Sequence, residues 1–230
     1  MAKKKDNTEE RIVAVEEALS SSEQFIEKNQ KILTYIVGGV IVVILAFFGY
    51  KKYVMVPQEK AAEVAIFNAQ HYFDQDSLDL ALNGDGVNAG FLEIIDDYGS
   101  TKEGNLAKYY AGICYFNMGE YEESIDYLKK FSSDDQVVSS MALGAIGDSY
   151  MQLGDATKAV DFYLKAARKN VNDFTTPTFL VKAGWTYEVL GNWQNALDTY
   201  ESIKKDFPKT KEAREIDKYI ARAKAQLGQL

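Results

Sequence analysis

A single cysteine, Cys114, a single histidine, His71, and 3 prolines in 230 residues remove several kinds of chemistry at once. One cysteine closes no disulfide within the chain, and Cys114 with His71 is too small a set for a His/Cys metal cluster. Many exported proteins also lack disulfides, so the cysteine count leaves the compartment open. Cys114 lies in an apolar helical run and is expected as a buried small hydrophobe. A Ser/His/Asp set would depend on His71 alone, which no partner constellation surrounds, and no glycine loop is spaced to cradle phosphate. The acidic pairs Asp96-Asp97 and Asp134-Asp135 fall where helix ends and turns usually place them. The expectation is a protein that is no enzyme, with no catalytic, cofactor-binding or metal-binding residues.

Positive charge is also scarce in the larger part of the chain. Residues 1–52 carry 8 basic and 7 acidic groups, and residues 53–230 carry 18 basic against 27 acidic. The acidic remainder argues against nucleic acid or an anionic lipid surface as its main partner, since both need a concentrated positive patch.

Against these absences stands one long apolar run, Ile32 to Tyr50, with no charge in it and with Lys28, Lys31, Lys51 and Lys52 around it. A helix of that length covers about 28 Å, close to the hydrocarbon thickness of a bilayer. No small-x-small cleavage site follows, so an uncleaved anchor is expected over residues 32–50. Lys3, Lys4, Lys5, Arg11, Lys28 and Lys31 precede the span, whereas only Lys51, Lys52 and Lys60 follow it closely. The positive-inside bias then predicts a cytoplasmic tail, 1–31, and an exported C-terminal part. Within the tail, Ile12, Val15, Leu19, Ser22 and Ile26 recur at helical spacing. That pattern is either a docking or interfacial amphipathic helix or a plain extension of the anchor.

The remainder repeats itself. With Gly112, Gly147 and Gly184 aligned, Tyr115, Tyr150 and Tyr187 fall into register, as do Gly119, Gly154 and Gly191, then Ser124, Ala159 and Ala196, then Leu128, Tyr163 and Tyr200. These positions match the tetratricopeptide pattern: small residues let two antiparallel helices approach, an aromatic fills the wedge, and the second glycine makes the turn. Three such repeats are expected over residues 105–208, with Asn170 to Thr176 as an extended loop. Residues 51–104 read as a linker and degenerate repeat, with helices at Glu59 to Phe73 and Gly90 to Tyr98. The loop Asn83-Gly84-Asp85-Gly86 between them lacks the spaced acids of a calcium site and is read as a plain turn. After Pro208, Thr210 is placed to cap one closing helix through Leu227, within a capping segment 209–230. The predicted fold class is all-α, a single transmembrane helix followed by a tetratricopeptide-type solenoid.

In this repeat class the first helix of each pair lines the concave face. The corresponding residues are Leu106, Tyr109, Ile113 and Phe116; Met141, Gly144, Asp148 and Met151; and Thr178, Val181, Trp185 and Glu188. Most are apolar or aromatic, which suits an amphipathic helix or an extended hydrophobic polypeptide segment, unless the chain's own terminal helices cover part of the stripe. A clamp for a chaperone's C-terminal carboxylate is not expected, because Tyr109, Ile113 and Ala145 stand where it needs Lys or Asn, and only Lys182 fits by charge.

A charged tail, one anchor and an acidic exported repeat domain resemble the ancillary SecYEG translocon subunit family, the YfgM-like proteins. Ala14-Val15, Phe25-Ile26-Glu27-Lys28-Asn29 before the anchor, and the alanine-rich helix Ala61 to Ala69 carry the resemblance together with the repeats. The resemblance implies a non-catalytic accessory subunit in the bacterial inner membrane, with its repeat domain in the periplasm. Its implied partners are a SecYEG-type channel, a PpiD-type membrane-anchored chaperone and emerging polypeptides. A scaffold in another envelope assembly or secretion complex is the competing expectation.

Overall fold

The computed structural model describes the backbone of residues 3–229 and the side chains of residues 25–229. The tail residues Ile12, Val15, Leu19 and Ser22, on which the amphipathic reading rests, and Ala14-Val15 of the resemblance have side chains outside this range. The described backbone is helical, with no strand. Two units divide after Pro57.

The first unit holds α1 (Lys3–Tyr50) and a π-helical turn, Lys51–Met55. α1 is long and apolar enough to cross a membrane, and none of its most apolar stretch is buried inside the protein. Tyr35, Val42, Leu45 and Phe47 lie open. Such a surface is costly in water and suited to lipid.

The second unit contains α2 (Val56–Asp74), α3 (Leu78–Asn83), α4 (Phe91–Tyr98) and then three helix pairs: α5 (Lys102–Met118) with α6 (Tyr121–Lys130), α7 (Gln136–Gln152) with α8 (Ala156–Lys169), and α9 (Thr176–Val189) with α10 (Trp193–Asp206). Short helices α11 (Lys211–Glu215) and α12 (Asp217–Gln226) follow. The architecture is a tetratricopeptide-type helical solenoid.

Each pair is closed by the same turn. Gly119, Gly154 and Gly191 adopt left-handed backbone, φ +85, +80 and +71°. The next residue returns its N–H to the carbonyl of Tyr115, Tyr150 or Tyr187, at 2.8–2.9 Å. This satisfies the last carbonyls of the first helix and reverses the chain. In the second and third pairs that same residue then caps the following helix, Asp155 accepting from the Lys158 N–H and Asn192 from the Asn195 N–H. Glu120 makes no such side-chain cap.

Within each pair the helices meet at a glycine. A Cβ on Gly112 would lie 2.6 Å from Leu128 Cγ, one on Gly147 2.7 Å from the Tyr163 ring, and one on Gly184 2.2 Å from Tyr200 Cε1. The contact between the second and third repeats uses the same device, since a Cβ on Gly144 would lie 2.0 Å from Phe179. The apolar interior is a chain of local clusters. One joins α2 to α5 around Phe91 and Ile94, two sit between successive pairs, and the last joins α9 and α10 to α11 and α12 around Tyr200 and Ile216. Cys114 is fully buried in the first cluster.

Two expectations need correction. The closing helix is not continuous to Leu227: it breaks at Ile216, whose buried side chain seats among α9, α10 and α12. The degenerate segment contains an additional helix, α3, whose Ala81 and Leu82 are buried against α5.

Gly184→Ala is expected to lower unfolding stability by about 1–3 kcal/mol in chemical denaturation, because the Tyr200 ring it meets is fully buried and cannot swing aside. Unchanged stability would mean the pair can part freely. Burial pushes the Cys114 thiol up to about 12. The folded protein should therefore resist alkylation at pH 8 and react on unfolding; rapid native labelling would contradict its packing.

Candidate concave binding cleft

The inner faces of α5, α7 and α9 form a cleft of about 410 Å³ lined by Phe116, Asp148, Met151, Gln152, Tyr163, Lys182, Trp185, Thr186 and Val189. All three repeats contribute. A second cleft, about 300 Å³, lies between α9 and the closing helices and is lined by Thr178, Val181, Lys182, Trp185, Lys211, Glu212, Glu215 and Tyr219. Trp185 and Lys182 border both. The indole is 43% exposed and stands edge-on to Tyr219, ring centroids 5.6 Å apart.

Charge in the first cleft is internally balanced. Lys182 Nζ lies 2.7 Å from both oxygens of Asp148, and the Tyr163 hydroxyl donates to Asp148 Oδ1 at 2.7 Å. One repeat further on, the Tyr200 hydroxyl donates to Glu188 Oε1 at 2.7 Å while Arg222 Nη2 approaches Glu188 Oε2 at 2.6 Å. The two arrangements are alike in chemistry, with the carboxylate shifted by one helical turn: Asp148 aligns with Trp185 and Glu188 with Met151. In each, a first-helix carboxylate receives the hydroxyl of its own second helix and a cation 34 positions later. Thr178 and Glu212 are joined over the same interval, so α11 and α12 occupy the place of a fourth first helix. Asp148–Lys182 is only partly shielded from solvent and contributes little to stability, but it fixes the cleft floor with no unpaired charge.

The sequence-predicted residues separate into groups. Phe116, Asp148, Met151 and Trp185 come together in the first cleft. Val181, with Thr178 and Trp185, lines the second. Leu106 packs against the first core cluster, and Tyr109 and Ile113 pack against the cluster of Ile125, Leu128, Ala142 and Ile146. Gly144 is filled by Phe179, and Glu188 is engaged by Tyr200 and Arg222. Met141 is open to solvent and lines neither cleft. Gln152, Tyr163, Thr186 and Val189 were not anticipated as cleft residues, although a carboxylate and a lysine one repeat apart are visible in the sequence as Asp148 and Lys182. Among the described residues no cluster of three or more His, Cys, Asp or Glu is arranged to hold a metal.

Profiles of the tetratricopeptide repeat match residues 106–135 and 179–210 in one form and 142–168 in another. No curated protein matches the sequence significantly. Among solved structures, the chain is similar to a crystal structure of MamA protein, with 18% identity over 73% of this chain and 83% of that one and a TM-score of 0.57. It is also similar to the nearly identical TPR-like repeats of a Podosopora anserina putative kinesin light chain, with 13% identity over 74% and 88% of the two chains and a TM-score of 0.56. At these identities the likeness establishes the fold. The chain contains tetratricopeptide repeats, and such repeats are protein–protein interaction modules that bind polypeptides.

Burial, followed by the hydrogen bonds to Asp148 and Glu188, pushes the Tyr163 and Tyr200 hydroxyls far above the ordinary tyrosine range. The folded state thus keeps protons that the unfolded chain releases near pH 10, and stability should fall as pH rises past about 10. Tyr200→Phe should flatten that fall in alkaline denaturation curves; an unchanged slope would remove Tyr200 from the account.

Proposed function

We propose that the chain is a membrane-anchored interaction module whose cleft takes up an apolar or amphipathic polypeptide segment, and that it serves as an accessory subunit of the Sec translocon. One observation carries the first part: Phe116, Met151, Trp185 and Val189, from three successive repeats, line a single cleft whose acid and base are already paired. A ligand entering it meets apolar surface and polarisable thioether without having to neutralise a buried charge. The anchor is supported by the exposed apolar face of α1.

The Sec assignment rests on the resemblance of the whole arrangement to the YfgM-like family. In this reading residues 1–31 are cytoplasmic, 32–50 span the bacterial inner membrane, 51–104 connect, 105–208 form the periplasmic binding repeats and 209–230 close them. The span docks beside a SecYEG-type channel, and the cleft receives a PpiD-type chaperone or an emerging polypeptide. Catalysis has no part in this role.

Phe116→Glu with Trp185→Glu is expected to reduce partner recovery at least tenfold in mild-detergent pull-downs of the full chain from native membranes, with helical content and unfolding midpoint nearly unchanged. Recovery of channel subunits by the unaltered chain supports the translocon role. Recovery of a different envelope assembly would replace it with a scaffold role, and full recovery by the double variant would sink the cleft as the binding site.

A further inference from the structure

The second cleft differs from the first in the charge it leaves unpaired. In the first, Lys182 is engaged by Asp148, so the floor carries no open charge. The second, about 300 Å³ between α9 and the closing helices, is bordered by Lys182 in that same pair and, from α11, by Lys211, Glu212 and Glu215. Among the described residues none of these three enters an ion pair. Glu212 accepts the Thr178 hydroxyl on Oε1 at 3.1 Å, which positions the carboxylate without neutralising it. One cation therefore stands against two carboxylates beside an apolar floor of Val181, Trp185 and Tyr219.

The aromatic pair points the same way. This chain repeatedly lays its own cations on its rings: Lys130 on Tyr127, Lys165 on Phe162 and Lys182 on Tyr163. Tyr219 has two, Lys218 Nζ at 4.8 Å and Arg222 Cζ at 5.1 Å from the ring centre. Trp185, its edge-on neighbour, is 43% exposed, and among the described residues no cation lies over it. Indole is the side chain whose face attracts a cation most strongly, and the attraction grows as the site is desolvated.

We propose that the second cleft receives a basic side chain, arginine or lysine, of the polypeptide whose apolar residues occupy the first. The inference rests on the reading of the first cleft as a polypeptide site. Trp185 and Lys182 border both clefts, so a segment lying along α9 passes directly from one to the other. Its apolar residues meet Phe116, Met151 and Val189, and its cation stacks on Trp185 with the charge toward Glu212 and Glu215. A guanidinium suits the site best, since it stacks flat on an indole and forks to a carboxylate at the same time. An acidic residue at that point of the ligand would meet both carboxylates with only Lys211 to offset them. The closing helices thereby read the charge of the ligand as well as seal the solenoid.

The test uses the full chain in detergent micelles with Trp193→Phe, which leaves Trp185 as the only indole. N-acetyl-arginine amide and its glutamine and glutamate counterparts are titrated against Trp185 fluorescence. The arginine probe should bind about fivefold more tightly than the glutamine probe, and the glutamate probe more weakly than either. Glu212→Gln with Glu215→Gln should bring arginine down to the glutamine level with helical content unchanged. Equal affinities for the three probes, or no response to arginine, would overturn the cation site. In membrane pull-downs the same double variant should lower partner recovery by a similar factor. Unchanged recovery there, with recovery lost in Phe116→Glu, would place the whole partner in the first cleft and overturn the proposal. Recovery that survives Phe116→Glu while the arginine probe still binds would overturn the first-cleft reading and the shared ligand, leaving the cation site standing alone.

Discussion

The close approach of paired helices at Gly112, Gly147 and Gly184 is the constraint on which the rest of the solenoid depends. A side chain at any of these points would strike Leu128, Tyr163 or Tyr200, so the glycine and the large residue form one unit split between two helices. This packing fixes more than helix separation. Because the large residue in the second and third repeats is tyrosine, the ring that fills the gap behind the glycine also carries a hydroxyl to the inner face. There it meets Asp148 or Glu188. The buried half of the ring supplies packing and the polar tip orients a carboxylate, which in turn holds Lys182 or Arg222 of the following element. Core and cleft are therefore set by the same residues.

The first repeat shows what happens without the hydroxyl. Leu128 packs against Gly112 but has nothing to offer a carboxylate, and Ile113 sits where the second repeat has Asp148. At that end of the inner face Tyr109 and Ile113 lean, partly buried, on the cluster of Ile125, Leu128, Ala142 and Ile146. The cleft accordingly begins at Phe116 and is developed by the second and third repeats. α11 and α12 then stand in for another first helix, supplying Tyr219 against Trp185 and Arg222 for Glu188. These closing helices are also the far wall of the second cleft.

Much of this was legible in the sequence because repeat packing is local. The glycine, the tyrosine and the small residue recur at fixed spacing, and each position has one physical task. What was not legible depended on distant neighbours. Counting repeat positions places Leu106, Tyr109 and Ile113 on the concave face, but it cannot say that they also pack, partly buried, against the preceding helices and the α6–α7 cluster. The break at Ile216 has no glycine or proline to announce it. It follows from seating one fully buried isoleucine while α11 reaches α9 and α12 lies along α10. α3 is equally silent, a helix of 6 residues whose reason for existing is the burial of Ala81 and Leu82 against α5.

Exposed apolar surface is distributed in a way that fits a tethered protein better than a free one. The largest share lies on α1, where Ile, Val, Leu and Phe side chains have no protein neighbours to bury them. In the second unit the most exposed large apolar side chains are Val64 and Phe67 on α2, Val87 in the loop before α4, Val171 and Phe174 in the loop before α9, and Val189 in the cleft. A freely diffusing solenoid would suffer from such patches through unselective association. Under the proposed tethering the same patches meet a restricted set of neighbours, and weak contacts gain from the raised local concentration. The acidic character of the second unit works in the same direction, since 18 basic against 27 acidic groups in residues 53–230 keep it from settling on an anionic lipid surface.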